Sequence, residues 1–197
     1  DDINMTKVVY TPIGNTTTKY SGTFDGQYYS IRNLVIDDKE KSNVGVFGVI
    51  TGGAVIKNLA VDSTCVFTAN AKVGAIAGLA AGGGTFTFSN LVNAAGVKAV
   101  GTVDANAAGL VGCCIDGTTA IVTNCINAGA ISAYSDNQNQ AGAFTGWSQA
   151  GSTYTNCLNI GEIDYDGGLL RGTATQTNCH DVRSGNPTVA SGELCYK

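Results

Sequence analysis

Carboxylates two residues apart on a strand project to the same side, and Asp164 and Asp166, which flank Tyr165, form such a pair. Paired carboxylates on the outer face of stacked β-coils can act as general acid and base, or as acid and nucleophile, on a glycosidic linkage. These two are the candidate catalytic residues. They also offer oxygens to calcium, although backbone carbonyls and water would have to complete the about six to eight ligands the ion takes. Their setting, Asp-Tyr-Asp-Gly-Gly after an Ile-containing strand, equally suits a solvated strand end, and that bland reading is the preferred one.

The remaining chemistry-bearing residues point away from catalysis. Among seven cysteines the sole close pair is Cys113-Cys114, and the single His180 has no partner histidine, so metal-ligand spacing is missing. No metal site and no cofactor is expected. There is no Gly-x-Ser-x-Gly elbow, no His-Glu-x-x-His and no phosphate-binding loop. Cys125, Cys157 and Cys179 recur at equivalent places and read as small apolar residues of a core. Disulfides suit a secreted chain, but the pairing cannot be deduced, and the odd count leaves one thiol over. Binding residues are expected on the polar, aromatic-tipped insertion from Tyr134 to Gln140, with Tyr134, Asn137 and Gln138 as candidates and Trp147 as a stacking residue.

What would position these groups is a repeat. Ile31-Arg32-Asn33-Leu34, Ile56-Lys57-Asn58-Leu59, Phe88-Ser89-Asn90-Leu91, Val122-Thr123-Asn124-Cys125, Tyr154-Thr155-Asn156-Cys157 and Gln176-Thr177-Asn178-Cys179 share one pattern, and their asparagines are 25, 32, 34, 32 and 22 residues apart. Such periods mark a solenoid or an array. Glycine-flanked apolar blocks precede each later copy, and their middle residues Phe47, Ile76, Val111, Phe144 and Leu170 read as a further apolar column. Short segments alternate with period two, and none sustains a helical apolar stripe. The chain is therefore expected to be all-β, a single-stranded parallel β-helix of about six coils stacked about 4.8 Å apart. Asn33, Asn58, Asn90, Asn124, Asn156 and Asn178 are expected to stack at one bend, where an amide tolerates left-handed backbone and bonds to its neighbours above and below. His180 falls in a column with Val92, Ile126 and Leu158 that is expected to face outward.

One domain, 1–197, is expected: residues 1–21 as a lead-in or cap, 22–181 as coils and 182–197 as a closing cap, because open sheet ends invite aggregation. Loop variability concentrates in Asp37 to Asn43, Thr64 to Lys72, Val100 to Asn106 and Tyr134 to Gln140.

Pro12-Ile13-Gly14, Gly22-Thr23-Phe24-Asp25-Gly26 and Ile31-Arg32-Asn33-Leu34 form a lead-in. With the glycine blocks and the runs beginning at Asn124 and Asn156, they resemble GLUG-motif domains of bacterial surface and adhesin-like proteins. The resemblance covers nearly the whole chain. It implies a right-handed β-helix, in keeping with the general hand of parallel connections, and a segment of a longer surface protein whose export signals lie elsewhere.

Composition agrees with a surface module. Eleven basic residues stand against 15 acidic ones, for a net charge of −4, so no basic patch is present to neutralise phosphates and nucleic acid is not an expected partner. No apolar run is long enough to span a bilayer as a helix. The expected function is a non-catalytic, secreted or cell-surface adhesin-like module that binds a glycan or an extracellular protein. The alternatives are a polysaccharide lyase or hydrolase and a purely structural spacer.

Overall fold

The computed structural model describes residues 1–101, 103–134, 140–164 and 167–182, and the backbone alone of 188–190. Among them the chain is an all-β parallel solenoid of about five turns, one fewer than the repeat count suggests. Each coil pairs in parallel with the next. An exception is the strand Thr188–Ala190, which runs antiparallel to Cys179–Asp181.

The inward columns explain why this sequence coils. Ile56 pairs with Phe88, Phe88 with Val122, Val122 with Tyr154 and Tyr154 with Gln176. Beside them run Leu59, Leu91, Cys125, Cys157 and Cys179, all buried. Each large side chain so buried stabilises the fold by about 1.5–3 kcal/mol, and no single turn could bury its own apolar face without the turns above and below.

The first coil departs from the repeat read in the sequence. Its partner for Ile56 is Phe24, not Ile31, and Ile31 lies opposite Val61. Two extra residues between Asp25 and Tyr29 shift the register there, with Gln27 and Tyr28 both at positive φ. Asn33 consequently sits at the next corner, where its backbone N–H donates to Thr64 Oγ1 at 2.9 Å and its side chain donates to Asn4. Asn33 does not stack on Asn58. The glycine-block column is also offset: Phe47 pairs with Ala77, Ala77 with Val111, Val111 with Thr145 and Thr145 with Leu170. Ile76 and Phe144 lie one residue earlier, at a tight corner where consecutive residues are all buried.

Residues 1–21 follow the coil path. Ile3 pairs with Ile31, Ile13 bridges Phe47 and Tyr20 bridges Ile50, so this segment lays a partial turn over the first coil.

Candidate functional site

Two polar ladders run along the solenoid. In the first, Asn178 donates its side-chain N–H to Asn156 at 2.8 Å, Asn156 to Asn124 at 3.2 Å, Asn124 to Asn90 at 3.3 Å, Asn90 to Asn58 at 2.8 Å and Asn58 to Asp25 at 3.0 Å. All five asparagines have φ between 50° and 55°, the left-handed conformation that asparagine tolerates and that turns the strand through the corner. His180 Nε2 lies 3.0 Å from Asn178 Oδ1. Because Asn178 already donates through Nδ2, its Oδ1 accepts, and the imidazole must carry its proton on Nε2. Contrary to the expectation of a surface side chain, His180 is 2% exposed, and its Nδ1 has no hydrogen-bond partner among the described residues.

The second ladder was not anticipated. Asn93 donates to Asn127 at 2.8 Å, Asn127 to Asn159 at 2.8 Å and Asn159 to Asp181 at 2.9 Å, and all four side chains are buried. Each asparagine also donates to the backbone carbonyl two residues on. Gly129 and Gly161 follow for that reason: a Cβ at Gly129 would lie 2.0 Å from Ala95 O, and one at Gly161 2.2 Å from Gly129 O. The sequence signal was present as a second Asn three residues after the first, in Asn90-Leu-Val-Asn93, Asn124-Cys-Ile-Asn127 and Asn156-Cys-Leu-Asn159.

The described thiols, Cys65, Cys113, Cys114, Cys125, Cys157 and Cys179, are free and buried. Burial pushes Cys113 up to about 11, and a hydrogen bond with Cys125 together with burial pushes Cys157 up to about 12. Among the described residues no three His, Cys, Asp or Glu side chains stand close enough to hold a metal ion.

Of the predicted catalytic and binding residues, Asp164, Tyr134 and Trp147 are among the described ones. Asp164 is exposed, with its backbone N–H on Ile131 O at 3.0 Å. Asp166, Asn137 and Gln138 lie outside the described residues. Tyr134 is half exposed at the start of the polar insertion, and Trp147 is 39% exposed on the strand Gln140–Thr155.

Trp147 stands in a concavity. An open groove of about 310 Å³ is lined by Lys72, Asp104, Asn106, Cys113, Ile115, Gln140 and Trp147. Two outward columns build it. Asn106 pairs with Gln140, and the pairing of Val73 with both Val44 and Ala107 sets Asn43, Lys72 and Asn106 in line beneath it. These four are the last residues of the four variable segments noted in the sequence, one per coil. Facing them, Val49, Leu79 and Cys113 stack with Trp147 next in line, a small apolar cluster outside the main core. The columns can approach because glycine lies between them: a Cβ at Gly112 would fall 2.6 Å from Val73 N. Lys72 and Asp104 bring opposite charges to the Cys113 thiol, lowering and raising its pKa respectively. Asn106 is 2% exposed, donates Nδ2–H to Asp104 O at 2.6 Å, and has no partner for Oδ1 among the described residues. Sequence reasoning reached Trp147 but missed Lys72 and Asn106, whose 34-residue spacing to each other and to Gln140 carried the signal.

Fold and groove together define a parallel β-solenoid with a preformed concavity on its outer face. Among solved structures, the chain is similar to a crystal structure of a putative immunoglobulin A1 protease from Bacteroides ovatus. The TM-score is 0.58 at 15% identity, over 98% of this chain and 71% of that one. No protein-family model matches the chain. No curated protein matches it.

Proposed function

We propose that the chain is a non-catalytic binding and display module of the GLUG-motif kind, acting outside the cell through its surface. The observation that carries the reading is the groove itself. Its walls are held by parallel pairing above and below, and its lining of amide, ammonium and indole groups suits holding a ligand. Rigid solenoids present extended surfaces to glycans or to neighbouring proteins, and their loops supply the contacts. The protease description belongs to the structural neighbour. A thiol nucleophile needs a lowered pKa, whereas Cys113 and Cys157 are driven the other way.

The test is to incubate the purified chain with plant, host and bacterial polysaccharides and extracellular proteins, with and without calcium, beside an Asp164→Asn/Asp166→Asn double variant. Binding without product release, unchanged in the variant, is expected. Turnover that disappears in the variant would replace this reading with that of a carbohydrate-active enzyme.

A further inference from the structure

We propose that the groove between Trp147 and the column Lys72, Asn106 and Gln140 is a subsite for a neutral, hydroxyl-rich oligosaccharide lying along the solenoid axis. The proposal rests on reading the chain as a binding module and names the ligand class of that module.

Ring and polar wall face each other across the same groove. Trp147 is 39% exposed beside Cys113 and Ile115, so an indole is presented in a lined recess instead of on an open face. An aromatic ring so placed takes the apolar face of a sugar ring, and polar groups opposite take its hydroxyls. The opposite wall supplies an ammonium and two primary amides, groups that pair with neutral hydroxyls as donors and acceptors.

Spacing selects a chain of sugars over a peptide. The wall repeats once per coil, about 4.8 Å, which is close to the length of one pyranose in an extended oligosaccharide. Successive sugars thus meet one wall residue each, Lys72, Asn106 and Gln140 in turn. An extended peptide advances about 3.3 Å per residue and alternates its side chains, out of step with the column.

Charge selects a neutral ligand. Lys72 and Asp104 line the same recess with opposite signs, leaving no net field to attract a polyanion.

A ligand-shaped deficit completes the argument. Asn106 Oδ1 lies beneath the groove surface, closed to solvent and without a partner among the described residues, while the amide's other end is held by Asp104 O. A buried acceptor left unpaired weighs against the folded state. A ligand hydroxyl pairs with Oδ1 once the Asn106 amide tips toward the recess it lines, and that pairing relieves the deficit.

The experiment is calorimetric titration of the whole chain with neutral oligosaccharides of two to six residues from several linkage types. Matched uronic-acid oligosaccharides and an extended uncharged peptide serve as comparators. Trp147→Ala and Asn106→Leu are the test variants, Ile121→Ala on another face is the control, and thermal melts verify folding. The expected result is affinity for a neutral series that rises with chain length. Trp147→Ala should weaken it at least tenfold and Asn106→Leu several-fold, with Ile121→Ala unchanged. Should Asn106→Leu fail to fold, Trp147→Ala decides, since its side chain is part-exposed. Neutral-glycan binding indifferent to Trp147→Ala would overturn the groove assignment and leave the binding module standing. Preference for the acidic series or the peptide would overturn the ligand class. Binding of no oligosaccharide would overturn the inference, and failure of the protein panel as well would remove the module reading with it.

Discussion

Asp25 accepts the side-chain N–H of Asn58 at 3.0 Å, and this carboxylate ends the surface ladder because it can accept but not donate. Every amide behind it must then point its N–H toward Asp25, in a run that starts from His180 at the other end. In the buried ladder the carboxylate, Asp181, stands at the opposite end, and the amides run in the opposite direction.

Acid sensitivity follows from that terminus. The hydrogen bond from the Gln27 backbone N–H, joined by the Asn58 amide and the Lys57 ammonium, holds Asp25 below the usual carboxylate range. A group whose pKa is lowered on folding contributes stability that is present above its unfolded value, about 3.9, and is lost as pH falls through the folded value. Asp25→Asn should flatten the acid limb of a plot of unfolding midpoint against pH. An unchanged acid limb would count against this role.

The two ladders should differ in energetic weight. Asn127→Ala removes one of the two partners of Asn93 Nδ2 and of Asn159 Oδ1 at a buried site and should cost about 2–4 kcal/mol. Asn124 stands at the surface with φ 55°. Asn124→Gly should cost less than Asn124→Ala by about 1 kcal/mol or more, since glycine removes the left-handed penalty. Denaturant titration of the three variants checks both statements.

Core and surface substitutions should separate clearly. Phe144→Ala or Ile76→Ala opens a cavity at a fully buried site and should cost about 2–5 kcal/mol. Val9→Ala, at a residue 99% exposed, should stay within about 0.5 kcal/mol. Gly129→Ala should destabilise by about 1–3 kcal/mol through overpacking against Ala95 O. Equal midpoints across the set would contradict the packing described.

Thiol reactivity gives an independent reading. Cys113 and Cys157, pushed up to about 11 and about 12, stay protonated near neutral pH and are also buried. Alkylation at pH 8 followed by peptide mapping should leave Cys65, Cys113, Cys114, Cys125, Cys157 and Cys179 unmodified in the native chain and label all six after unfolding.

Much of the fold was legible because stacking makes each coil repeat the chemistry of the one below. The Asn-motif copies from Ile56 to Cys179 pointed to the observed pairing, whereas in the glycine blocks between them Ile76 and Phe144 lie one residue out of register. The first coil misled because Ile31-Arg32-Asn33-Leu34 mimics the motif, while the register is set by Phe24 and Asp25 ahead of a two-residue insertion. The 25-residue spacing from Asn33 to Asn58, shorter than the interior coils, was the trace of it. A short final spacing of 22 residues, by contrast, is a true coil with trimmed loops, since Tyr154 still pairs with Gln176. The groove was less legible. Trp147 declares itself by type, but Lys72, Asn106 and Gln140 differ in chemistry, so their 34-residue spacing is the sequence trace of an alignment that the pairing makes plain.

The carboxylate termini bear on how such a protein could lengthen. A duplicated interior turn, such as the stretch from Asn90 to Asn124, brings its own donor and acceptor to each ladder and slots in without reversing any amide. A turn added beyond Asp25 or beyond Asp181 meets a group with no proton to give. Growth by duplication is therefore favoured in the middle of the stack, whereas a turn added beyond either carboxylate must bring a donor to meet it.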